Sequence, residues 1–175
     1  GDIVAVTSNF GLTSIGFKIL LEDLDVPNAL RERALQTVYK PSIPFGIVKA
    51  LCEAGAVTSA MDSSDGLGIT LNTMAELNMK GIEIDNLPIA SGIMEVAEKH
   101  DLDILKLIMG GGEEFIMVLT IPSKKWEDGK TIDRKEKTSL HAIGKVTPEG
   151  PVEWIDAGKK HEIGFLGYDT FREWN

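Results

Sequence analysis

The chain has little of what disulfide-bonded, metal-chelating or membrane-spanning proteins need. It contains one cysteine, Cys52, which excludes a disulfide within the chain and which we expect to pack as a small apolar side chain. Its three histidines are scattered along the sequence without the spacing of metal ligands. No apolar stretch reaches transmembrane length and no signal peptide is visible, so a cytoplasmic protein is expected.

Positive charge is also scarce. The chain has 18 Lys and Arg against 27 Asp and Glu, a formal net charge of −9, and no run of Lys or Arg longer than two. This balance argues against a general nucleic-acid surface and against binding to an anionic membrane. Small anionic ligands stay possible if divalent cations or clusters of backbone N–H groups offset the negative field.

Composition otherwise resembles that of an ordinary globular domain. Apolar residues make up 43% and charged residues 26% of 175 positions, enough chain for one domain with a substantial core. The chain begins on a strand-like sequence, Gly-Asp-Ile-Val-Ala-Val, without an initiating Met. We therefore interpret residues 1–175 as a single domain cut from a longer protein.

Strand-like and helix-like segments alternate along the chain. Polar residues 124–137 are expected to form an exposed excursion, and 140–146 with 152–155 to form a hairpin. The other expected strands are 3–6, 56–61, 81–85 and 115–121, and the expected helices lie around 15–20, 29–39, 47–54, 67–77, 91–100 and 103–108. The pattern predicts an α/β domain, an α+β sandwich with a mixed sheet flanked by helices.

The most informative stretch is Asp-Ser-Ser-Asp-Gly at 62–66. It lies between an apolar strand, expected to be buried, and a helix whose inner face is predicted to carry Leu67, Leu71, Met74 and Leu77. A turn that opens a helix offers unpaired N–H groups to phosphate oxygens, and two carboxylates three residues apart can hold Mg²⁺. The same residues are also common in turns that merely start a helix, and the sequence alone leaves both interpretations open.

Two further segments suit a ligand site. Three glycines at 110–112 would let the backbone pass close to a ligand, with Glu113 and Glu114 projecting from the turn. The alternative is a flexible connection with two solvated acids. The tail places aromatic residues, including Tyr168, beside glycines, which suits either stacking on a ligand ring or packing against the core.

Four segments in this order resemble the C-terminal domain of thiamine-monophosphate kinase, in the aminoimidazole ribonucleotide synthetase superfamily. They are residues 1–7 with Gly11, residues 41–46, the Asp-Ser-Ser-Asp-Gly-Leu segment at 62–67, and Gly-Gly-Glu-Glu-Phe at 111–115. Together with Gly-Tyr-Asp-Thr-Phe at 167–171 they are typical of the kinase branch. The resemblance implies the fold of the C-terminal domain of aminoimidazole ribonucleotide synthetase-related proteins.

The resemblance also implies roles for individual residues. Asp62 and Asp65 would ligate Mg²⁺, with Asp65 as the catalytic residue, and Ser64 would contact ATP, the co-substrate. Glu113 and Tyr168 would contact thiamine phosphate, Tyr168 by stacking. The implied activity is ATP- and Mg²⁺-dependent phosphorylation of thiamine monophosphate to thiamine diphosphate by in-line transfer.

The resemblance also implies partners for this domain, and the sequence differs from the family pattern at two positions. The N-terminal ATP- and metal-binding domain of the parent protein would be missing, the parent would be a homodimer, and the fragment alone would be inactive. Ile116 stands where the family often has an acid, and Thr170 where it often has His. The alternatives are another ATP-dependent member of the superfamily, of the aminoimidazole ribonucleotide synthetase, selenophosphate synthetase or hydrogenase-maturation type, or a non-catalytic binding domain.

Overall fold

The computed structural model describes residues 1–168, in which seven strands form one mixed sheet and seven helices flank it. The strands are β1 (Ile3–Val6), β2 (Ser59–Ser63), β3 (Gly81–Ile84), β4 (Ile116–Ile121), β5 (His141–Thr147), β6 (Val152–Asp156) and β7 (Lys159–Glu162). The helices are α1 (Leu12–Glu22), α2 (Asn28–Tyr39), α3 (Phe45–Glu53), α4 (Leu67–Asn78), α5 (Ile93–Lys99), α6 (Ile104–Met109) and α7 (Trp126–Glu136). No helix within this part of the chain is long and apolar enough to cross a membrane.

The strand order is β2-β4-β1-β5-β3-β6-β7. Strands β1 and β2 both run antiparallel to β4, with Val6 opposite Val118 and Ser63 opposite Ile116. The carboxyl ends of β1 and β2 therefore meet the amino end of β4 at one end of the sheet. We call this the site end, because three of the segments singled out in the sequence leave the sheet there.

Apolar side chains form two cores on opposite faces of the sheet. The alternation of strand β1 shows the division, since Val4 and Val6 belong to the larger core and Ala5 to the smaller one. Helices α1, α4, α5 and α6 contribute to the larger core, and α3 and α7 close the smaller one. The expectation of a mixed sheet flanked by helices is confirmed.

Residues 124–137 are not an exposed excursion. After a 3₁₀ turn at Ser123–Lys125, helix α7 places Trp126, Gly129 and Ile132 three residues apart, on one face. Trp126 and Ile132 pack on the smaller core, and a Cβ on the buried Gly129 would lie 3.6 Å from Leu51 of α3. The charged residues conceal this short apolar stripe, which is why the sequence suggested a loop.

The late strands also differ from the expected hairpin. Strand β3 lies between β5 and β6, pairing antiparallel with β5 and parallel with β6. Ile82 and Ile84 of β3 are buried in the larger core, as suits a strand inside the sheet rather than at its edge. Strand β6 instead forms its hairpin with β7, through Ala157 and Gly158 at positive φ.

Three smaller expectations were wrong. The strand predicted at 56–61 begins three residues later, and it is a half-exposed edge strand rather than a buried one. Leu77, near the end of α4, is 73% exposed rather than part of the inner face that Leu67, Leu71 and Met74 form. Cys52 is exposed on α3 instead of packed.

Candidate active site

Residues 62–66, the acidic bend, carry the chain from β2 into α4. Gly66 has φ +121°, and a Cβ there would lie 3.0 Å from the carbonyl oxygen of Met109 and 3.0 Å from Cα of Gly167. Only glycine satisfies both the conformation and the close approach. Helix α4 begins without a side-chain cap, so Ser64 and Asp65 do not supply the capping hydrogen bond that residues of this type often provide.

Residues 110–115, the glycine corner, dock on the acidic bend through the backbone. The N–H of Glu113 donates to the carbonyl oxygen of Ser64 at 2.6 Å, and the N–H of Phe115 donates to that of Ser63 at 3.2 Å. A Cβ on Gly111 would displace the Ser14 hydroxyl, which donates to the carbonyl oxygen of Leu107 at 2.7 Å. The acidic bend and the glycine corner therefore form one unit at the site end of the sheet.

The tail completes this unit. The N–H of Tyr168 donates to the carbonyl oxygen of Asp65 at 2.7 Å, and a Cβ on Gly112 would lie 3.7 Å from Cβ of Tyr168 and 3.2 Å from the Ser64 oxygen. The Tyr168 side chain is 46% exposed. The structure thus brings together four residues singled out in the sequence, namely Ser64, Asp65, Glu113 and Tyr168.

The tail also changes the expected phosphate cradle at the start of α4. The N–H of Ile69, in the first turn, donates to the carbonyl oxygen of Leu166 at 3.1 Å, and a Cβ on Gly68 would lie 2.7 Å from that same oxygen. One of the N–H groups that a helix start leaves unpaired is therefore already used by the chain itself.

The two aspartates of the bend are exposed but differently placed. Asp62 lies in β2, opposite Met117, whereas Asp65 follows the strand by two residues. Within residues 1–168 no group of three or more His, Cys, Asp and Glu could hold a metal ion. The chemistry of the pair still fits Mg²⁺, an oxygen-seeking ion that commonly takes one or two carboxylates and completes its coordination with water and substrate phosphates.

Glu114 is a functional candidate that the sequence did not single out from its neighbour. Its side chain is 7% exposed, and Oε1 accepts a hydrogen bond from the N–H of Gly11 at 2.9 Å. Burial raises the pKa of this carboxyl group to about 7, against the lowering effect of the Gly11 N–H and of the hydroxyl and N–H of Thr13. The alternative of two solvated acids therefore holds for Glu113, which is exposed, and fails for Glu114.

A cleft of about 470 Å³ borders the same end of the sheet. Its lining includes Thr7 and Ser8 at the end of β1, Glu114, and the proline segment at 41–46. Phe45, at the start of α3, is 75% exposed. All four segments that carry the resemblance thus converge at the site end, although they are far apart in sequence.

Comparison with known proteins identifies the family. Residues 1–156 match the family described as AIR synthase related protein, C-terminal domain. The chain belongs to this family. This AIR synthase-related domain is also 30% identical over 174 residues to the thiamine-monophosphate kinase of Leptospira interrogans, covering 98% of the chain and 53% of that relative. The domain spans about half the length of the curated relatives it matches.

Solved structures agree with this assignment. The crystal structure of thiamine monophosphate kinase from Aquifex aeolicus superposes with a TM-score of 0.74 at 27% identity, over 93% of this domain and 52% of that chain. E. coli HypE superposes with a TM-score of 0.78 at 19% identity, over 98% and 52% respectively, which shows a shared fold alone. The resemblance stated from the sequence is confirmed.

The roles assigned to individual residues remain predictions. The structure places Ser64, Asp65, Glu113 and Tyr168 side by side, with Asp62 on the adjoining strand. Residues 169–171, which end the Gly-Tyr-Asp-Thr-Phe segment, lie outside the described residues.

Proposed function

We propose that the chain is the C-terminal-type domain of an ATP- and Mg²⁺-dependent kinase that phosphorylates thiamine monophosphate to thiamine diphosphate by in-line transfer. The observation that carries the proposal is that backbone hydrogen bonds join the segments of Asp65, Glu113 and Tyr168 into one unit, which brings two acids and an aromatic residue to the same end of the sheet. Relatives that carry the name thiamine-monophosphate kinase support the choice of substrate.

Each residue of the unit has a task in this reaction. The Tyr168 ring stacks on an aromatic ring of thiamine monophosphate, and Glu113 contacts the same substrate. Ser64 contacts ATP from the bend. Asp62 and Asp65 would hold Mg²⁺, which would supply positive charge beside the transferring phosphoryl group. Phosphoryl transfer between two phosphates needs alignment and charge stabilisation more than covalent help from the protein, and the unit supplies alignment.

The remaining parts of the site belong, in this proposal, to the parent protein. Its N-terminal domain provides the main ATP- and metal-binding residues, the parent is a cytoplasmic homodimer, and neither nucleic acid nor a membrane takes part. Two carboxylates alone leave most of a Mg²⁺ coordination shell to other groups, which supports a site completed from outside this chain. Residues 1–175 alone should therefore show no turnover.

A second candidate is favoured by one residue. Ile116, which follows the glycine corner, is apolar where the thiamine-monophosphate kinase family often has an acid. An ATP-dependent enzyme of the same superfamily with a different small acceptor would retain the bend and the corner and differ at such a position. A non-catalytic binding domain would retain the fold without any of these chemical requirements.

A substrate comparison on the complete protein separates these functions. ATP with Mg²⁺ is offered together with thiamine monophosphate, with aminoimidazole precursors or with selenide, and phosphorylated products are measured. We expect thiamine diphosphate from the first acceptor, no product from the others, and loss of product when EDTA removes the divalent cation. Product from another acceptor would assign the protein to the second class, and no saturable binding of Mg²⁺ and thiamine diphosphate would indicate a non-catalytic domain.

A further inference from the structure

Glu114 is the buried acidic group that the proposed mechanism leaves without a task. A carboxyl group that is 7% exposed is costly to bury unless it is hydrogen-bonded, and Oε1 of Glu114 meets this need with the Gly11 N–H at 2.9 Å. The bond joins residues 103 positions apart, from the glycine corner to the loop between β1 and α1. An apolar side chain would fill this buried position without the cost of burying a carboxyl group, so the acid calls for an explanation.

The residues on either side of Glu114 are strained. Glu113 has φ +59° and Phe115 has φ +51°, a left-handed conformation that costs a residue other than glycine about 1 kcal/mol or more. Such a conformation persists only when the surroundings hold it in place. The backbone bonds to Ser63 and Ser64 hold one side of this short segment, and the Glu114 side chain holds the other.

Gly11 is itself firmly placed and can act as an anchor. The neighbouring Phe10 is fully buried, donates to the carbonyl oxygen of Pro88 at 2.7 Å and accepts from the N–H of Ala90 at 3.0 Å. The carbonyl oxygen of Gly11 accepts from Ile15 in the first turn of α1 at 3.1 Å. Because these contacts fix Gly11, its hydrogen bond to Glu114 holds the glycine corner in a fixed position relative to the start of α1.

We propose that Glu114 is a positioning residue whose carboxyl group fastens the glycine corner to Gly11, and so keeps Glu113 against the acidic bend. The effect on catalysis rests on the proposed function, in which Glu113 contacts the substrate. The fastening itself is a property of the fold and is measured separately.

Ionisation of Glu114 has two opposing effects. A carboxylate accepts a stronger hydrogen bond than a neutral acid, but burial raises the pKa of Glu114 to about 7 because the ionised form is less favourable in the folded protein. The loop and α1 side that face it carry Thr13 and Ser14, which do not titrate. The titratable groups around it, Glu113 on the corner, Asp65 on the bend, and Glu136 and Lys137 across the cleft, are all exposed to solvent.

Amide hydrogen exchange in the complete protein tests the fastening. In Glu114→Ala the amides of Glu113 and Phe115 should exchange about ten- to a hundredfold faster, because one hydrogen bond to a charged group is lost. Glu114→Gln keeps an acceptor for Gly11 and should stay within about threefold of the wild type. Unchanged exchange in Glu114→Ala, with Glu95→Ala on α5 as the exposed control, would overturn the proposal.

Steady-state kinetics on the same variants test positioning. Glu114→Ala should raise KM for thiamine monophosphate about tenfold with kcat within about threefold, Glu114→Gln should restore KM, and adding Glu114→Ala to Glu113→Gln should change nothing further. Faster exchange with unchanged KM would overturn positioning while leaving the proposed function intact. Absence of kinase activity in the wild type would remove the proposed function, and the exchange rates would still decide whether Glu114 holds the corner.

Discussion

Two groups of acidic residues in this domain differ in whether lysines lie beside them. On β3 and β6, Glu83 lies 2.9 Å from Lys145 and 2.8 Å from Lys160, and Glu153 lies 2.7 Å from Lys160. These hydrogen bonds lower the pKa of Glu83 to about 2, mainly through Lys160. At the site end, Asp62, Asp65 and Glu113 are exposed, and none of their carboxylates has an ion pair or hydrogen bond within the described residues.

The contrast shows where the domain leaves negative charge unbalanced. A chain with net charge −9 has too few lysines and arginines to neutralise every acid, and none of the ion pairs within residues 1–168 includes an acid of the bend or Glu113. Exposed like charges near one another repel unless a cation lies between them. The unpaired acids of the bend are therefore available for the Mg²⁺ role proposed for Asp62 and Asp65.

The largest effect is expected from removing one of the unpaired acids of the bend. Asp65→Asn in the complete protein should lower kcat by about 100- to 1,000-fold, because the side chain can no longer share the charge that develops during transfer. Thiamine diphosphate formation at saturating ATP and Mg²⁺ measures the effect. Asp156→Asn, an exposed aspartate at the end of β6, is the matched control and should keep full turnover. A rate near that of the wild type in Asp65→Asn would refute the metal-binding role.

The next largest effect is expected from Glu114→Gln, on the free energy of unfolding rather than on turnover. Its folded pKa of about 7 lies above the ordinary value of 4.5, so the folded state binds the extra proton between these values and stability falls as pH rises from about 4.5 to 7. Glu114→Gln cannot ionise and should not lose this stability. Its free energy of unfolding, relative to that of the wild type, should therefore rise by about 3 kcal/mol between pH 4.5 and pH 8. Urea unfolding at several pH values measures it, and a constant difference between the two proteins would contradict the buried ionisation.

The architecture was largely predictable because it depends on local patterns. The strand Ile3–Val6 was predicted with its observed bounds, and the amphipathic helix α2 to within one residue, since both have clear periodicity. Helix α7 was missed because charged residues surround a stripe of only three inward positions. The position of β3 between β5 and β6 could not be predicted either, because strand order depends on packing between distant segments.

The sequence identified the segments that meet at the site end of the sheet, but not the contacts that join them. The acidic bend and the glycine corner carry glycines at positions that short motifs reveal, and the structure places both at one end of the sheet. Nothing local distinguishes Glu113 from Glu114. One faces solvent and the other is buried only because Gly11, 103 residues away, comes within hydrogen-bonding distance.

Glu113→Gln tests the substrate contact proposed for Glu113, and we expect a smaller effect, on KM. The substitution removes a charge without changing the backbone, so KM for thiamine monophosphate should rise about tenfold while kcat stays within about threefold. Initial rates over a range of substrate concentrations measure both constants, with Glu95→Gln on α5 as the exposed control. A fall in kcat with constant KM would instead give Glu113 a role in the transfer step itself.

The smallest effect is expected where the charges are already balanced. Lys160→Met removes the lysine that Glu83 and Glu153 share, while Lys145 stays beside Glu83. A carboxylate with a lowered pKa stabilises the folded state above its ordinary pKa and loses that contribution as pH falls through about 2. In the variant the carboxyl resonance of Glu83 should titrate at a higher pH than in the wild type, closer to 4.5, while turnover is unchanged. Equal titration in both proteins would mean that Lys145 alone sets the charge of Glu83, whereas a loss of turnover would show that these paired acids and the unbalanced acids of the site end do not act separately.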